Sequence, residues 1–247
     1  MARFFIEVFY KGTNYAGFQI QQNANSIQAE IEKALKIFYK DHFGLTGSSR
    51  TDAGVHAMSN YFHFDSELLS VYDQEAINKG VYNLNSILPM DIVIRQIYKV
   101  ADDAHCRFDA ISREYQYNIF PGKNPFLSDR AYYYPYQLDM ESLQQAAVAI
   151  LNYKDFTSFS KRNTQSKTFD CEIFESCWMI KENLFIYKVR ANRFLRGMVK
   201  GLVGTMLKVG TGKISLNEFH EVIEQKNCSL ADFSVPAHGL FLMNVQF

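Results

Sequence analysis

From Arg3 to Tyr10 apolar residues fall at every second position, with Phe4, Ile6, Val8 and Tyr10 on one side, the period of a strand with one face turned to a core. The period then lengthens. Ile27, Ile31, Ala34, Leu35 and Phe38 recur at helical spacing behind Asn25 and Ser26, either of which can cap a helix through its side-chain oxygen. Strands over Gly44 to Ser49 and Met58 to Phe64, a helix over Asp73 to Tyr82 and a strand over Asp91 to Val100 complete the order βαββαβ. After Ala104 that order recurs. A strand spans Arg113 to Phe120, a helix Met140 to Leu151, strands Phe169 to Ile180 and Leu184 to Arg190, a helix Phe194 to Val209 and a strand Leu240 to Phe247.

The expected class is α+β, with two ferredoxin-like (βαββαβ) halves over residues 1–104 and 105–247. No Pro- or Gly-rich linker separates them, so the halves are expected to share an extended, mainly antiparallel sheet with a central cleft, a default place for a substrate. Ser215-Leu216-Asn217-Glu218 has the spacing of a capping box and predicts an extra helix reaching Glu224.

Composition narrows the function less than the pattern does. The 247 residues are 47% apolar and 15% aromatic, enough for a sizeable core and incompatible with disorder. The 26 basic and 26 acidic residues cancel, so any affinity for nucleic acid must come from local clustering. One such cluster exists: between Asn183 and Asn217 the only charged residues are Lys188, Arg190, Arg193, Arg196, Lys200, Lys208 and Lys213. A run of one sign fits a solvated face and equally a phosphate-binding one. On the helix after Asn192, Leu195, Met198, Val199, Leu202, Val203 and Met206 form an apolar stripe, and Arg193, Arg196, Lys200 and Lys208 a cationic one.

Cys106, Cys171, Cys177 and Cys228 form no C-x-x-C pair and have no histidine at zinc-ligand spacing, so they read as reduced, mostly buried thiols. The apolar run of Met1 to Glu7 is too short for a signal sequence and no stretch approaches the ~20 apolar residues of a membrane span. A cytoplasmic protein without a membrane partner is expected.

The densest chemistry lies in Arg50-Thr51-Asp52-Ala53-Gly54-Val55-His56-Ala57. Ala53 and Gly54 leave Asp52 unshielded, and Arg50 suits a phosphate-bearing substrate because a guanidinium binds phosphate oxygens in bidentate fashion. The same stretch fits a hairpin turn whose Asp bonds its own backbone. His56 and His63 read as loop anchors or core residues. Asp52, His56, His63 and Asp65 are the only components from which a metal-dependent hydrolase could be assembled, and the set lacks a third histidine nearby. A non-catalytic RNA-binding module would also use twin sheets with aromatics, but it gives no reason for the Asp52 loop. The chain has no P-loop, no G-x-G-x-x-G and no metal-ligand cluster; no cofactor and no metal are expected.

Ser48-Ser49-Arg50-Thr51-Asp52-Ala53-Gly54-Val55-His56-Ala57, followed by His63-Phe64-Asp65, resembles the catalytic segment of the TruA-type tRNA pseudouridine synthases, whose pattern is G-R-T-D-A-G-V-H-A. The resemblance extends through Tyr10-Lys11-Gly12-Thr13, Arg107-Phe108-Asp109-Ala110, Arg113-Glu114-Tyr115-Gln116-Tyr117, Asp155-Phe156-Thr157-Ser158-Phe159, Ala191 to Lys200 and Pro236-Ala237-His238-Gly239-Leu240, and so covers essentially the whole chain. It implies isomerisation of uridine to pseudouridine at positions 38 to 40 of the tRNA anticodon stem-loop by a homodimer that needs no cofactor. It implies that Asp52 is the catalytic carboxylate, a nucleophile or an electrostatic partner at the sugar. Tyr115 stacks on the target uracil while Tyr117 supports it from the core. Arg50 fills the gap left by an extruded base, and Arg193 and Arg196 meet phosphates. The family pairs its carboxylate with the Arg of M-V-R, where this chain has Met198-Val199-Lys200, so the role passes to Lys200, which keeps the charge and loses the planar two-pronged donor. A second departure is Ser49, where the family has Gly.

Overall fold

The computed structural model describes residues 1–162 and 167–247. In chain order the elements are β1 (Ala2–Tyr10), α1 (Ile27–Tyr39), β2 (Thr46–Gly47), β3 (His56–Ser66), α2 (Gln74–Ile87), β4 (Ile92–Lys99), β5 (Ser112–Phe120), β6 (Tyr132–Tyr133), α3 (Met140–Ala149), β7 (Ile173–Lys181), β8 (Leu184–Ala191), α4 (Met198–Gly210), α5 (Leu216–Glu224) and β9 (Leu240–Gln246). The class is mixed α+β with mainly antiparallel pairing, as the periodicity predicts.

Two compact units result, one of Met1–Ile111 with Phe241–Phe247 and one of Ser112–Leu240. The periodicity instead puts the boundary at 104/105 and the last strand with the second half. The difference has a source in the backbone: the Ile111 amide donates to the Gln246 carbonyl at 2.8 Å, and β9 runs parallel to β3 with His56 opposite Phe241 and Ala57 opposite Leu242.

In the first unit β1 lies between β4 and β3, antiparallel to both, and the two-residue β2 pairs with β3 at Phe62 and His63. This is the strand arrangement of a split βαβ unit. α1 and α2 bury one face each, through Ile27, Ile31 and Leu35 and through Ile77, Val81 and Leu84. Ser26, not Asn25, caps α1 by accepting from the Ala29 amide at 3.3 Å, and Asp73 caps α2. β1 departs from the one-faced strand its alternation predicts: Phe5 is buried among Tyr61, Tyr98 and Phe247 on the other face. Glu7 is also buried there, and its carboxylate accepts from Ser59 Oγ at 2.9 Å and Gln96 Nε2 at 2.8 Å, which compensates its desolvation.

In the second unit β8 lies between β5 and β7, antiparallel to both. The β7–β8 hairpin turns through Glu182 and Asn183 at φ 51° and 63°, the positive angles a tight two-residue hairpin requires. The capping box at Ser215 and Glu218 forms in both directions and opens α5. None of the four cysteines is in a disulfide; Cys106 and Cys171 are buried, and burial pushes the Cys171 thiol up to about 11. No helix among the described residues is long and apolar enough to cross a membrane.

Candidate active site

The Asp52 loop leaves β2 and returns as β3, and its backbone is pinned from below. Asn60 on β3 is wholly buried and donates from Nδ2 to the Ser49 carbonyl at 2.9 Å and to Tyr10 Oη at 3.1 Å. Tyr10 Oη lies 2.7 Å from Thr51 Oγ1, and the Thr51 carbonyl accepts from the Phe18 amide at 3.1 Å. Ser49 and Thr51 are buried, whereas Arg50 and Asp52 are exposed. Buried and exposed residues thus alternate from Ser49 to Asp52. Gly54, at φ 78°, turns the chain so that the Val55 amide donates back to the Asp52 carbonyl at 3.2 Å.

Beneath the turn Gly12 makes a close approach: a Cβ there would lie 2.0 Å from the Val55 carbonyl oxygen. The Gly12 amide donates to His56 Nδ1 at 3.0 Å, so buried His56 anchors the loop. His63 is a core residue. Its Nδ1 lies 3.2 Å from Cys106 Sγ, and burial lowers its pKa to about 4. Asp65 is engaged by Arg3 at 2.8 Å and 2.9 Å. Among the described residues no three His, Cys, Asp or Glu side chains converge as metal ligands. The hydroxyl of Ser49, the residue that departs from the family's Gly, is buried without a hydrogen-bond partner among the described residues.

In the second unit Tyr115 is half-buried on β5, edge-on to Phe194 with ring centroids 5.0 Å apart. Tyr117, two residues on, is fully buried and donates to the Pro236 carbonyl at 2.7 Å, in keeping with a supporting place in the core.

The basic helix requires correction. α4 begins at Met198, not Phe194, because Gly197 takes φ 76° just before it. Arg193 and Arg196 therefore sit in the preceding loop, Arg196 exposed and Arg193 donating to Thr168 Oγ1 at 3.2 Å. α4 is buried around nearly its whole circumference and has no cationic face: Lys200 is half-buried, and Lys208 is 3.5 Å from Asp232. Two further cations of the run are neutralised across strands. Lys188 Nζ lies 3.4 Å from Glu114 and 3.3 Å from Glu175, and Arg190 lies 3.8 Å from Glu175. Partners on adjacent strands are invisible in a linear reading of charge.

Tyr10 and Thr51 lie in motifs that carry the resemblance, but the hydrogen bonds that join Tyr10 to Thr51 and to Asn60 span 41 and 50 positions and leave no local sequence signal.

In the first unit the loop thus presents an exposed carboxylate and guanidinium, and in the second unit β5 carries a half-buried tyrosine. The family described as tRNA pseudouridine synthase matches residues 8–109 and 146–247, and the chain belongs to it. It is thus an isomerase that converts uridine in tRNA to pseudouridine. Its relatives include the tRNA pseudouridine synthase A of Parabacteroides distasonis, 42% identical over 250 residues that cover 100% of this chain and 96% of the relative. The same-named protein of Porphyromonas gingivalis is 42% identical over 249 residues, with 100% and 98% covered. That of Staphylococcus carnosus is 37% identical over 245 residues, with 98% and 90% covered.

Proposed function

We propose that the protein isomerises uridines 38 to 40 of the tRNA anticodon stem-loop in the cytoplasm, as a homodimer whose two copies share one tRNA. Asp52 is the nucleophile in this reading. Its carboxylate oxygen bonds to C1′ as the C1′–N1 bond breaks and the electron pair leaves on the uracil; the base turns, C5 displaces the carboxylate from C1′, the C5 proton departs and N1 takes up a proton, so the product has the composition of the substrate. No redox step or group donor enters. Tyr115 stacks on the uracil, an interaction worth ~1 to 3 kcal/mol per base. Arg50 occupies the gap left by the extruded base and grips the adjacent phosphate, offsetting an unstacking cost of a few kcal/mol. Lys200 supplies the cation that keeps the carboxylate ionised, and Arg193 and Arg196 bind phosphates. The observation that carries the reading is the exposed Asp52 and Arg50 on a backbone pinned at Ser49 and Thr51. Mapping pseudouridines in tRNA from cells lacking the protein tests it: positions 38 to 40 should revert to uridine, and their persistence would refute the substrate assignment.

A further inference from the structure

We infer that Asn60 and Tyr10 are positioning residues for catalysis: with Thr51 they form a buried clamp that aims Arg50 and Asp52 outward together. The inference rests on the reading of Asp52 as the catalytic carboxylate.

The hydrogen-bond capacity of Asn60 fixes its orientation. Asn60 Oδ1 accepts from the Tyr61 amide at 2.9 Å, which orients the side-chain amide. Its two N–H groups are then spent on the Ser49 carbonyl and Tyr10 Oη. Tyr10 Oη, which accepts from Asn60, also shares a hydrogen bond with Thr51 Oγ1 at 2.7 Å. Each member is buried, where an unmade hydrogen bond is costly, so Asn60, Tyr10 and Thr51 hold one another in place.

The clamp grips the two residues that flank Arg50, Ser49 through its carbonyl and Thr51 through its hydroxyl. Pinning Ser49 and Thr51 inward fixes by alternation where Arg50 and Asp52 leave the surface. Tyr10 is also held by its ring, which stacks with Phe18 at 5.9 Å, and Phe18 with Phe62 at 4.3 Å, so the hydroxyl is delivered from a rigid base. A clamp of this kind acts on the reaction through geometry: the exposed groups keep their chemistry but lose their aim when it is broken.

The test uses Tyr10→Phe, which keeps the ring and removes its hydroxyl, Thr51→Val, which removes the hydroxyl on the other side of the bond, their double variant, and Thr51→Ser, which restores a hydroxyl. Single-turnover pseudouridine formation on tRNA, tRNA Kd and Tm are measured for each. Tyr10→Phe and Thr51→Val should each slow the single-turnover rate about 10- to 100-fold while Kd stays within about twofold, the scale expected of a displacement approaching 1 Å. The double variant should be no slower than the worse single one, because both remove the same bond. Thr51→Ser should recover to within about threefold of wild type. A wild-type rate in Tyr10→Phe, multiplying losses in the double variant, or a loss of Tm with no loss of rate overturns the clamp. Asp52→Asn, run beside them, separates the two readings. If it is inactive while Tyr10→Phe is fully active, the clamp alone fails; if it turns over at the wild-type rate, the assignment of Asp52 fails and the clamp with it.

Discussion

Replacing Gly12 by Ala probes how firmly the floor of the Asp52 loop is set. A methyl there would sit 2.0 Å from the Val55 carbonyl oxygen and 2.8 Å from its carbon, whereas such approaches stay beyond 3.0 Å, so something must move by 1.0 Å or more. Gly12 itself has little room to yield. Its amide donates to His56 Nδ1 at 3.0 Å and its carbonyl accepts from the Tyr15 amide at 3.0 Å. The displacement therefore falls on Val55, whose own amide is bonded to the Asp52 carbonyl at 3.2 Å. Overpacking of this kind costs about 1 to 3 kcal/mol, and loss of the buried bond to His56 about 1 to 3 kcal/mol more. At ~2 to 4 °C per kcal/mol for a chain of this size, Tm should drop by roughly 4 to 24 °C. The rate should fall more steeply than the stability suggests, by about 100-fold, because a shift near 1 Å reaches Asp52. The assay is a thermal melt paired with single-turnover release of tritium from C5-labelled uridine in tRNA. Gly44→Ala, where nothing lies within 4 Å of the added carbon, is the control and should leave both unchanged. A Gly12→Ala protein with an unaltered rate and a Tm within about 1 °C of wild type would show that the loop is not seated on Gly12.

Alanine at Arg193 and Arg196 together should weaken tRNA binding and make the plot of log affinity against log salt shallower, by a slope of about one for each phosphate no longer neutralised, while Lys188→Ala, already paired to Glu114 and Glu175, should leave the slope intact. Equal slopes for all three proteins would mean that the loop cations do not meet phosphate. Lys200→Ala should slow single-turnover pseudouridine formation, since it removes the cation proposed to pair with Asp52, and Lys200→Arg should match or exceed wild type. A wild-type rate in Lys200→Ala would assign the cation elsewhere. His63, with its pKa lowered by burial to about 4, stays neutral in the folded protein where the unfolded chain takes up a proton. Stability should thus be constant with respect to this group above about pH 6.5 and decline as pH falls toward 4, and His63→Gln should melt with a shallower acid dependence; an unchanged slope of Tm against pH refutes it.

Element order was legible because period two and period 3.6 are properties of single segments, and the capping box at Ser215 is likewise local. The start of α4 was not. Phe194 and Leu195 continue a helical spacing, but Gly197 adopts a left-handed angle and stops it, a choice made by the surrounding chain. Charge was the least legible property. Lys188 and Arg190 look like part of a basic stripe until β5 and β7 place Glu114 and Glu175 beside them. Within the candidate site the sequence exposes the groups that act, Arg50 and Asp52, because their motif is contiguous. It hides the groups beneath them, because Tyr10 and Asn60 reach the loop only through strand pairing between β1 and β3.

The pairing of β9 with β3 sets an order of events during synthesis. His56 closes the Asp52 loop, and its strand partner is Phe241 on β9, well over half the chain downstream. At about 5 to 20 residues per second, roughly ten to forty seconds pass between the emergence of the two. Throughout that interval the edge of β3 at His56 and Ala57 stands open, and the ring pair of His56 and Phe241 cannot form. A nascent chain can therefore carry every residue of the catalytic motif without the strand that seats it, and an N-terminal fragment ending near Ile111 inherits the same open edge permanently. The strand beside the Asp52 loop is acquired late, when translation delivers residues 240–246.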